Sequence, residues 1–481
     1  MIAAFIVIGI YVLGTFLISI YGHRAAQDTP QDYFLAGRSV GVTAMFFTLI
    51  ATNFSAFFFL GFAGAGYRIG YSYYAMMSFS TAVVAFSFYF IGHKTWKISS
   101  ENNFITPPEM MGELLNSKWL RFVFLSVMII FTLPYIAIQP IGAGKILYTI
   151  SGGQIPYFLG AVLLTFFIVF YVFWGGMRSV AWTDVFQGVV MFACIITAML
   201  VIAHHFGGIS EANRKAYELQ PELFSRAGKG GYFTPKIWFS FSLLFLLSVP
   251  MFPQMFMRFF ICRSPKSLKA SAILYPIVTA ILFICPVAIG IWGHMDFPGL
   301  DKQGSDNILP KMLSASYFPS WLSITILLGA VAAFMSTLDS QLLALSSMIT
   351  RDVYLVFIKP EASMKEQVFL GKLLVVVLAV LGLAIAYNPP GTIFAIVKQA
   401  FTGLAMLFPT VICAFYWKRT TAVACIASIL CSEGLFVMYL FGFIPKSYAY
   451  GFLPVVPLTV IAFAIIIAIS LLQKNDTPDV T

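Results

Sequence analysis

Two short stretches of an otherwise apolar chain carry groups able to hold a cation. The first is Ala332-Ala333-Phe334-Met335-Ser336-Thr337-Leu338-Asp339-Ser340-Gln341. On a helix, Ser336, Asp339 and Ser340 stand at i, i+3 and i+4 and share a face, and Thr337 adjoins it. Hydroxyls and a carboxylate make an all-oxygen set, the kind of ligand a hard cation such as Na+ takes. The second stretch, Leu49-Ile50-Ala51-Thr52-Asn53-Phe54-Ser55-Ala56, puts polar residues at the centre of an apolar run, and Gly61, Gly64, Gly66 and Gly70 follow. Thr52, Asn53 and Ser55 compete for backbone hydrogen bonds and tolerate unwinding. Unwound backbone at membrane depth survives where it lines a cavity, and transporters use such breaks to offer carbonyls to a cation. A continuous helix with small polar residues packed on a neighbour is the alternative.

The elements that carry these groups are set by composition. The chain has 481 residues, 60% hydrophobic and 10% charged, with a mean hydropathy of +0.89. Soluble domains carry about 25% charged residues. Apolar runs long enough to cross about 30 Å of hydrocarbon recur from end to end. We place thirteen spans at 2–21, 42–65, 71–92, 120–148, 156–174, 180–204, 236–260, 270–293, 319–349, 368–388, 392–417, 420–443 and 452–473. The first run lacks a basic leader and a small-residue cleavage site, so it reads as a retained helix.

Alternate loops hold eighteen and ten Lys and Arg. The richer side is assigned to the cytoplasm, which places the N-terminus outside and the C-terminus inside a cell (inner) membrane. The net charge of +10 lies in short loops and forms no patch for nucleic acid. The lipid bilayer and a small-molecule substrate are the partners expected, with no obligate protein partner. Most spans lack ionisable groups, so the exceptions Asp184, Asp339, Lys398 and Glu433 draw notice, because intramembrane charge is costly and usually functional.

Here the chain resembles the sodium/solute symporter family, with the pantothenate and monocarboxylate branch nearest in pattern. The matching residues are Asp32-Tyr33-Phe34-Leu35-Ala36-Gly37-Arg38-Ser39, the run Gly175-Gly176-Met177-Arg178 through Thr183-Asp184, Ala333 to Thr337, Pro253-Gln254 with Arg258 (Gln where His is common), and Gln399-Ala400-Phe401-Thr402-Gly403. The resemblance spans residues 1–475. It implies an all-α integral membrane protein with a LeuT-type core of two inverted five-helix repeats. These would cover 42–205 and 236–417, separated by an extracytoplasmic loop at 206–235. The N-terminal helix and a loop (1–41) precede them, and two peripheral helices with a tail (418–481) follow.

The resemblance also implies a sodium site built from the carbonyls of Ala51, Phe54 and Ala333 and the hydroxyls of Ser336 and Thr337. A possible second cation site falls on Asp184, Asp339 and Ser340. The aspartate at 339 departs from the family, which places a small or hydroxyl residue there. Asp184 and Asp339 would hold a second Na+ or share one proton; otherwise Asp339 pairs structurally with a basic residue such as Arg178. Asn53 and Gln399 match positions that contact sugar in sugar carriers.

Lys398, beside Gln399, either meets a substrate carboxylate or snorkels to the surface. Phe57, Phe58 and Phe59 stand where relatives place polar residues. An aromatic chamber suits a small carboxylate better than a sugar, which needs many hydrogen-bond partners. The substrate set is therefore Asn53, Phe58, Lys398 and Gln399, and the function expected is Na+-coupled import of a small organic acid by alternating access. A neutral sugar or amino acid, or a solute sensor, are the alternatives. A channel lacks support because no filter motif appears. An enzyme lacks it because His23, His93, His204, His205 and His294 form no metal spacing and no nucleophile motif is present.

Overall fold

Apolar runs without a polar face leave the backbone to satisfy its own hydrogen bonds, which in lipid selects helices. The computed structural model describes residues 2–24, 29–315 and 318–473. Lys474 and the C-terminal tail, used in the charge count, lie outside the described residues.

We label the long helices α1 (Ile2–Arg24), α2 (Val42–Asn53), α3 (Phe57–Ile69), α4 (Tyr71–Asn102), α5 (Lys118–Ile150), α6 (Tyr157–His205), α7 (Pro235–Met251), α8 (Pro253–Ile261), α9 (Pro265–Trp292), α10 (Ser320–Ile358), α11 (Met364–Tyr387), α12 (Ile393–Tyr416), α13 (Ala422–Leu440) and α14 (Val455–Leu472). Among the described residues nine helices are long and apolar enough to cross a membrane, or eleven if each of two bent pairs is one span. The expected thirteen separate runs differ in two places. Runs 156–174 and 180–204 form one helical element, α6, of 49 residues. Run 236–260, expected as one continuous span, is bent by 55° between α7 and α8.

At about 1.5 Å per residue α6 would be about 74 Å long if straight, more than twice the hydrocarbon thickness. Gly176 breaks it, with φ at +57°. A Cβ there would also lie 2.8 Å from the Tyr33 carbonyl, so the second glycine of the Gly175-Gly176 motif is required sterically. The bent pairs are α2–α3, turned by 57°, and α7–α8, turned by 55°. The second break has its own signal in Pro250 and Pro253, each of which removes a backbone donor.

The centre is built by α6 and α10, which pack along their lengths, with α1 against α6 and α5 against both. The broken pairs lie beside them. At Gly290 a Cβ would stand 2.0 Å from the Ala63 carbonyl, so α9 and α3 meet backbone to backbone, as small residues permit in membranes. Helices α13 and α14 pack mainly on each other at the edge. A single parallel bridge between Val40 and Cys262 ties the segment before α2 to the end of α8.

Candidate functional site

Helix α2 ends where its side chains become polar. Phe54 adopts extended backbone, φ −89° and ψ 101°, and its N–H makes the last helical bond, to the Ile50 carbonyl at 3.0 Å. Beyond it, the Ala56 N–H donates to Gln139 Oε1 at 3.0 Å, and the Phe57 N–H to Ser55 Oγ at 3.1 Å. The break is thus held by side chains, and the carbonyls before it are released toward α10.

Ser336 and Thr337 meet those carbonyls. Ser336 Oγ stands 3.0 Å from the Ala51 carbonyl and 3.1 Å from that of Ala333. Thr337 Oγ1 stands 3.2 Å from the carbonyls of both Thr52 and Phe54. Ala51, Phe54, Ala333, Ser336 and Thr337, matched from dispersed motifs, therefore form one buried oxygen cluster. Thr52 adds a carbonyl that the sequence match omitted. The bulk of Phe54 is no obstacle, because its ring points away and stacks on Phe58 at 4.3 Å between centroids.

That ring faces a central cavity of about 20 Å³, the room of about one water molecule. Its polar lining is Asn53, Thr81, Tyr135 and Tyr275, and the rest is Met77, Val84, Val249 and a cage of phenylalanines including Phe57, Phe58, Phe283 and Phe401. Asn53 Nδ2 donates to the Tyr275 hydroxyl, and Ser55 Oγ lies 3.1 Å from the Tyr135 hydroxyl. No charged side chain is among the lining residues described. Asn53 and Phe58 are where the sequence placed them. Tyr135, Tyr275 and Phe401 went unforeseen: each comes from a separate helix, and an aromatic residue in a chain with 50 phenylalanines carries no distinguishing signal.

Lys398 and Gln399 do not line this cavity. The residues of α12 that turn inward are Val397, Ala400, Phe401 and Leu404, all buried. Gln399, two positions before Phe401 and so on another side of the helix, is exposed. Lys398 is partly exposed, and its charged neighbour is Lys446 of a loop.

The second oxygen set also departs from expectation. Asp184, Asp339 and Ser340 are fully buried, and a guanidinium sits among them. Arg258, itself fully buried, places Nη2 3.1 Å from Asp184 Oδ2 and 2.8 Å from Thr52 Oγ1, and donates to Ser340 Oγ as well. The Thr48 hydroxyl donates to Asp184 Oδ2. Asp339 accepts from the Tyr171 hydroxyl at 2.5 Å and from Ser340 Oγ at 3.1 Å. Arg178 pairs instead with Asp32, so the expected Asp339–Arg178 pairing is not formed. Arg258, counted among the cytoplasmic loop charges, belongs to this interior. The signal was present: a cation inside an apolar run, followed by more Phe.

With this geometry in hand, comparison with known proteins is direct. The sodium:solute symporter family pattern matches residues 33–431. The chain belongs to that family. The sodium/proline symporter of Staphylococcus aureus (strain bovine RF122 / ET3-1) is 27% identical over 484 residues, covering 98% of this chain and 93% of that protein. The homologue in strain JH9 is 27% identical over 485 residues, with the same coverage. Among solved structures, a Na+-coupled sialic acid symporter in a substrate-bound outward-open state superposes with a TM-score of 0.80 at 18% identity, covering 98% of both chains. Mhp1, a nucleobase-cation-symport-1 family transporter in a closed conformation, gives 0.59 at 12% identity, covering 91% of this chain and 92% of that one. The fold is the LeuT-type fold of such symporters. The protein is a multi-pass membrane transporter rather than an enzyme, and its activity is Na+-coupled solute symport.

Proposed function

We propose that this symporter binds its coupling Na+ on the carbonyls of Ala51, Phe54 and Ala333 and the hydroxyls of Ser336 and Thr337, and imports a small, largely apolar amino acid such as proline, the central cavity of about 20 Å³ widening to admit it. The observation that carries the reading is the double use of one broken segment. The backbone of residues 51–54 faces the Ser336–Thr337 cluster, while the side chains of Asn53 and Phe54 line the central cavity. A sodium ion drawing α2 against α10 therefore fixes the residues that meet the solute, and solute binding favours the same arrangement. Coupling of that kind is reciprocal.

The substrate class follows from the lining. A zwitterion carries its own counter-charge, an apolar body suits the phenylalanine cage, and Asn53, Thr81, Tyr135 and Tyr275 supply a few hydrogen bonds. A monocarboxylate or pantothenate anion would want a basic partner, and Lys398, the one the sequence offered, turns away. The sodium/proline symporters among the relatives support the amino-acid reading.

Alternating access between two inverted repeats, 42–205 and 236–417, is supported by the similar bends that open each half. The basic loops support an N-terminus outside and a cytoplasmic C-terminus. For a neutral solute, one Na+ crossing 100 mV with a tenfold gradient supplies about 3.7 kcal/mol, a concentration ratio of about 500.

Purified symporter in proteoliposomes should take up labelled proline or a similar small amino acid only under an inward Na+ gradient, in preference to lactate, pantothenate and hexoses. Uptake driven equally by K+ would refute the sodium assignment, and a preference for the anions would refute the substrate. Ser336→Ala with Thr337→Ala should lower Na+ affinity at least a hundredfold. An unchanged sodium dependence would remove the site.

A further inference from the structure

Helix α10 carries two oxygen clusters a turn apart, and only the second contains a cation of the chain's own. A charge removed from water must be paired and hydrogen-bonded. Arg258 meets that need in part: its Nη2 reaches Asp184, Thr52 and Ser340, while its buried Nε has no hydrogen-bond partner. These acceptors, with Asp339, are the ones a free Na+ would use. At an effective dielectric of about 20, a monovalent ion about 5 Å from the guanidinium meets repulsion that lowers its affinity a few hundredfold.

We propose that Arg258 is a tethered counter-cation that keeps the Asp184–Asp339–Ser340 cluster from taking sodium. One Na+ then accompanies each solute, and removing the guanidinium opens a second sodium site. This rests on the reading of Ser336 and Thr337 as the first site. Two further observations support it. Asp184 Oδ1, buried, has no hydrogen-bond partner, so an oxygen is already present that the guanidinium leaves free. Asp339 is held by the hydroxyls of Tyr171 and Ser340 and the Ser340 backbone N–H, and among the described residues it makes no ion pair. Without Arg258 the cluster would hold two carboxyls and no cation, which is the composition of a sodium site.

The test counts radioactive sodium bound at saturation to the purified full-length symporter, alongside the coupling ratio from reversal potentials in proteoliposomes. Wild type should bind one ion. Arg258→Met should bind two, and Arg258→Met combined with Asp184→Asn should return to one. Two ions on wild type would overturn the inference while leaving the first site standing. So would a single ion on Arg258→Met that Ser336→Ala with Thr337→Ala abolishes. No ion on wild type would overturn the first-site reading together with this one. Should Arg258→Met fail to fold, the wild-type count still decides, and Arg258→Lys, which keeps the charge, should also bind one; two there would overturn the proposal.

Discussion

The two ends of the molecule are closed by different means. At the end that the charge count assigns to the outside, one buried loop carboxylate joins three helices. Asp306 accepts from Arg68 of α3 at 3.0 Å and from the Ile393 N–H at the start of α12 at 3.1 Å, and lies 3.9 Å from Lys145 of α5. At the opposite end the ties are spread over many groups. Asp352 takes Arg121 Nε at 2.6 Å and the Thr106 hydroxyl at 2.8 Å, and Arg351 meets Glu109 at 2.8 Å. Arg38 caps the carbonyls of Ser99 and Phe104 at 2.9 and 2.6 Å, and Arg178 pairs with Asp32. A closure that gathers its helices on one carboxylate, with Tyr67, Arg68 and His294 bonded to the loop around it, loosens when that carboxylate is lost. A distributed closure yields only in concert. The Asp306 end should therefore open at lower cost, and the difference can be broken or sharpened by experiment.

The largest effect belongs to Asp352→Asn. Asp352 is fully buried and the Arg121 side chain is 9% exposed; Glu109 and Glu113 stay within 3.8 and 3.5 Å of the guanidinium, so losing its most buried partner should cost about 2–3 kcal/mol. The change should appear as a melting temperature lower by several degrees in detergent, with the outer mouth still shut. Asp306→Asn comes next. Its partners Arg68 and Lys145 are each 19% exposed, so after discounting for solvent the loss is about 1–2 kcal/mol, an opening shift of roughly tenfold. A cysteine placed at Met77 should then react about ten times faster with an impermeant thiol reagent added from outside. Equal reactivity in the Asp352 and Asp306 variants would erase the distinction between the ends.

His294 offers a finer test at the Asp306 end. Its ring stacks on Tyr67 of α3 at 3.7 Å, its Nε2 lies 2.8 Å from the Tyr67 carbonyl, and burial pushes its pKa below the usual histidine range. The unfolded chain then binds the proton more readily than the folded one. The stabilising contribution is full above about pH 6.5 and is lost as pH falls through that value toward the lower folded pKa. Acidification from pH 7.5 to 5.5 should loosen the contact by under about 1 kcal/mol, read as faster hydrogen exchange near Tyr67. His294→Gln should flatten that dependence, and an unchanged slope would exclude His294 as its source. The smallest effect is expected for Lys398→Gln, which should leave uptake within about twofold, because Lys398 is not among the residues that line the central cavity. A loss of tenfold or more would return Lys398 to the solute pathway.

The first oxygen cluster was legible because its parts are local. Ser336 and Thr337 are neighbours on one helix, one turn from Ala333, and the break at Asn53 follows from side chains that compete for backbone hydrogen bonds. Pro250 and Pro253 mark the second break, which the sequence reading passed over by taking 236–260 as one continuous span. Arg258 was quoted as part of a motif, yet its destination was not, since Asp184 lies 74 residues earlier in the chain. Lys398 shows the converse: a charge inside an apolar run marks a cost, while the rotation of its helix decides whether a cavity or the surface relieves that cost.

From the sequence alone came the helical membrane class and the polar stretches at 49–56 and 332–341, because hydropathy and helical spacing act over a few turns; the proposed sodium-site residues came from the family resemblance. The tertiary structure decided which cation answers Asp184, which side chains line the central cavity, and which end gathers three helices on a single carboxylate. Those are choices among distant partners, made by packing, and a buried charge takes whichever partner the fold brings within hydrogen-bond reach.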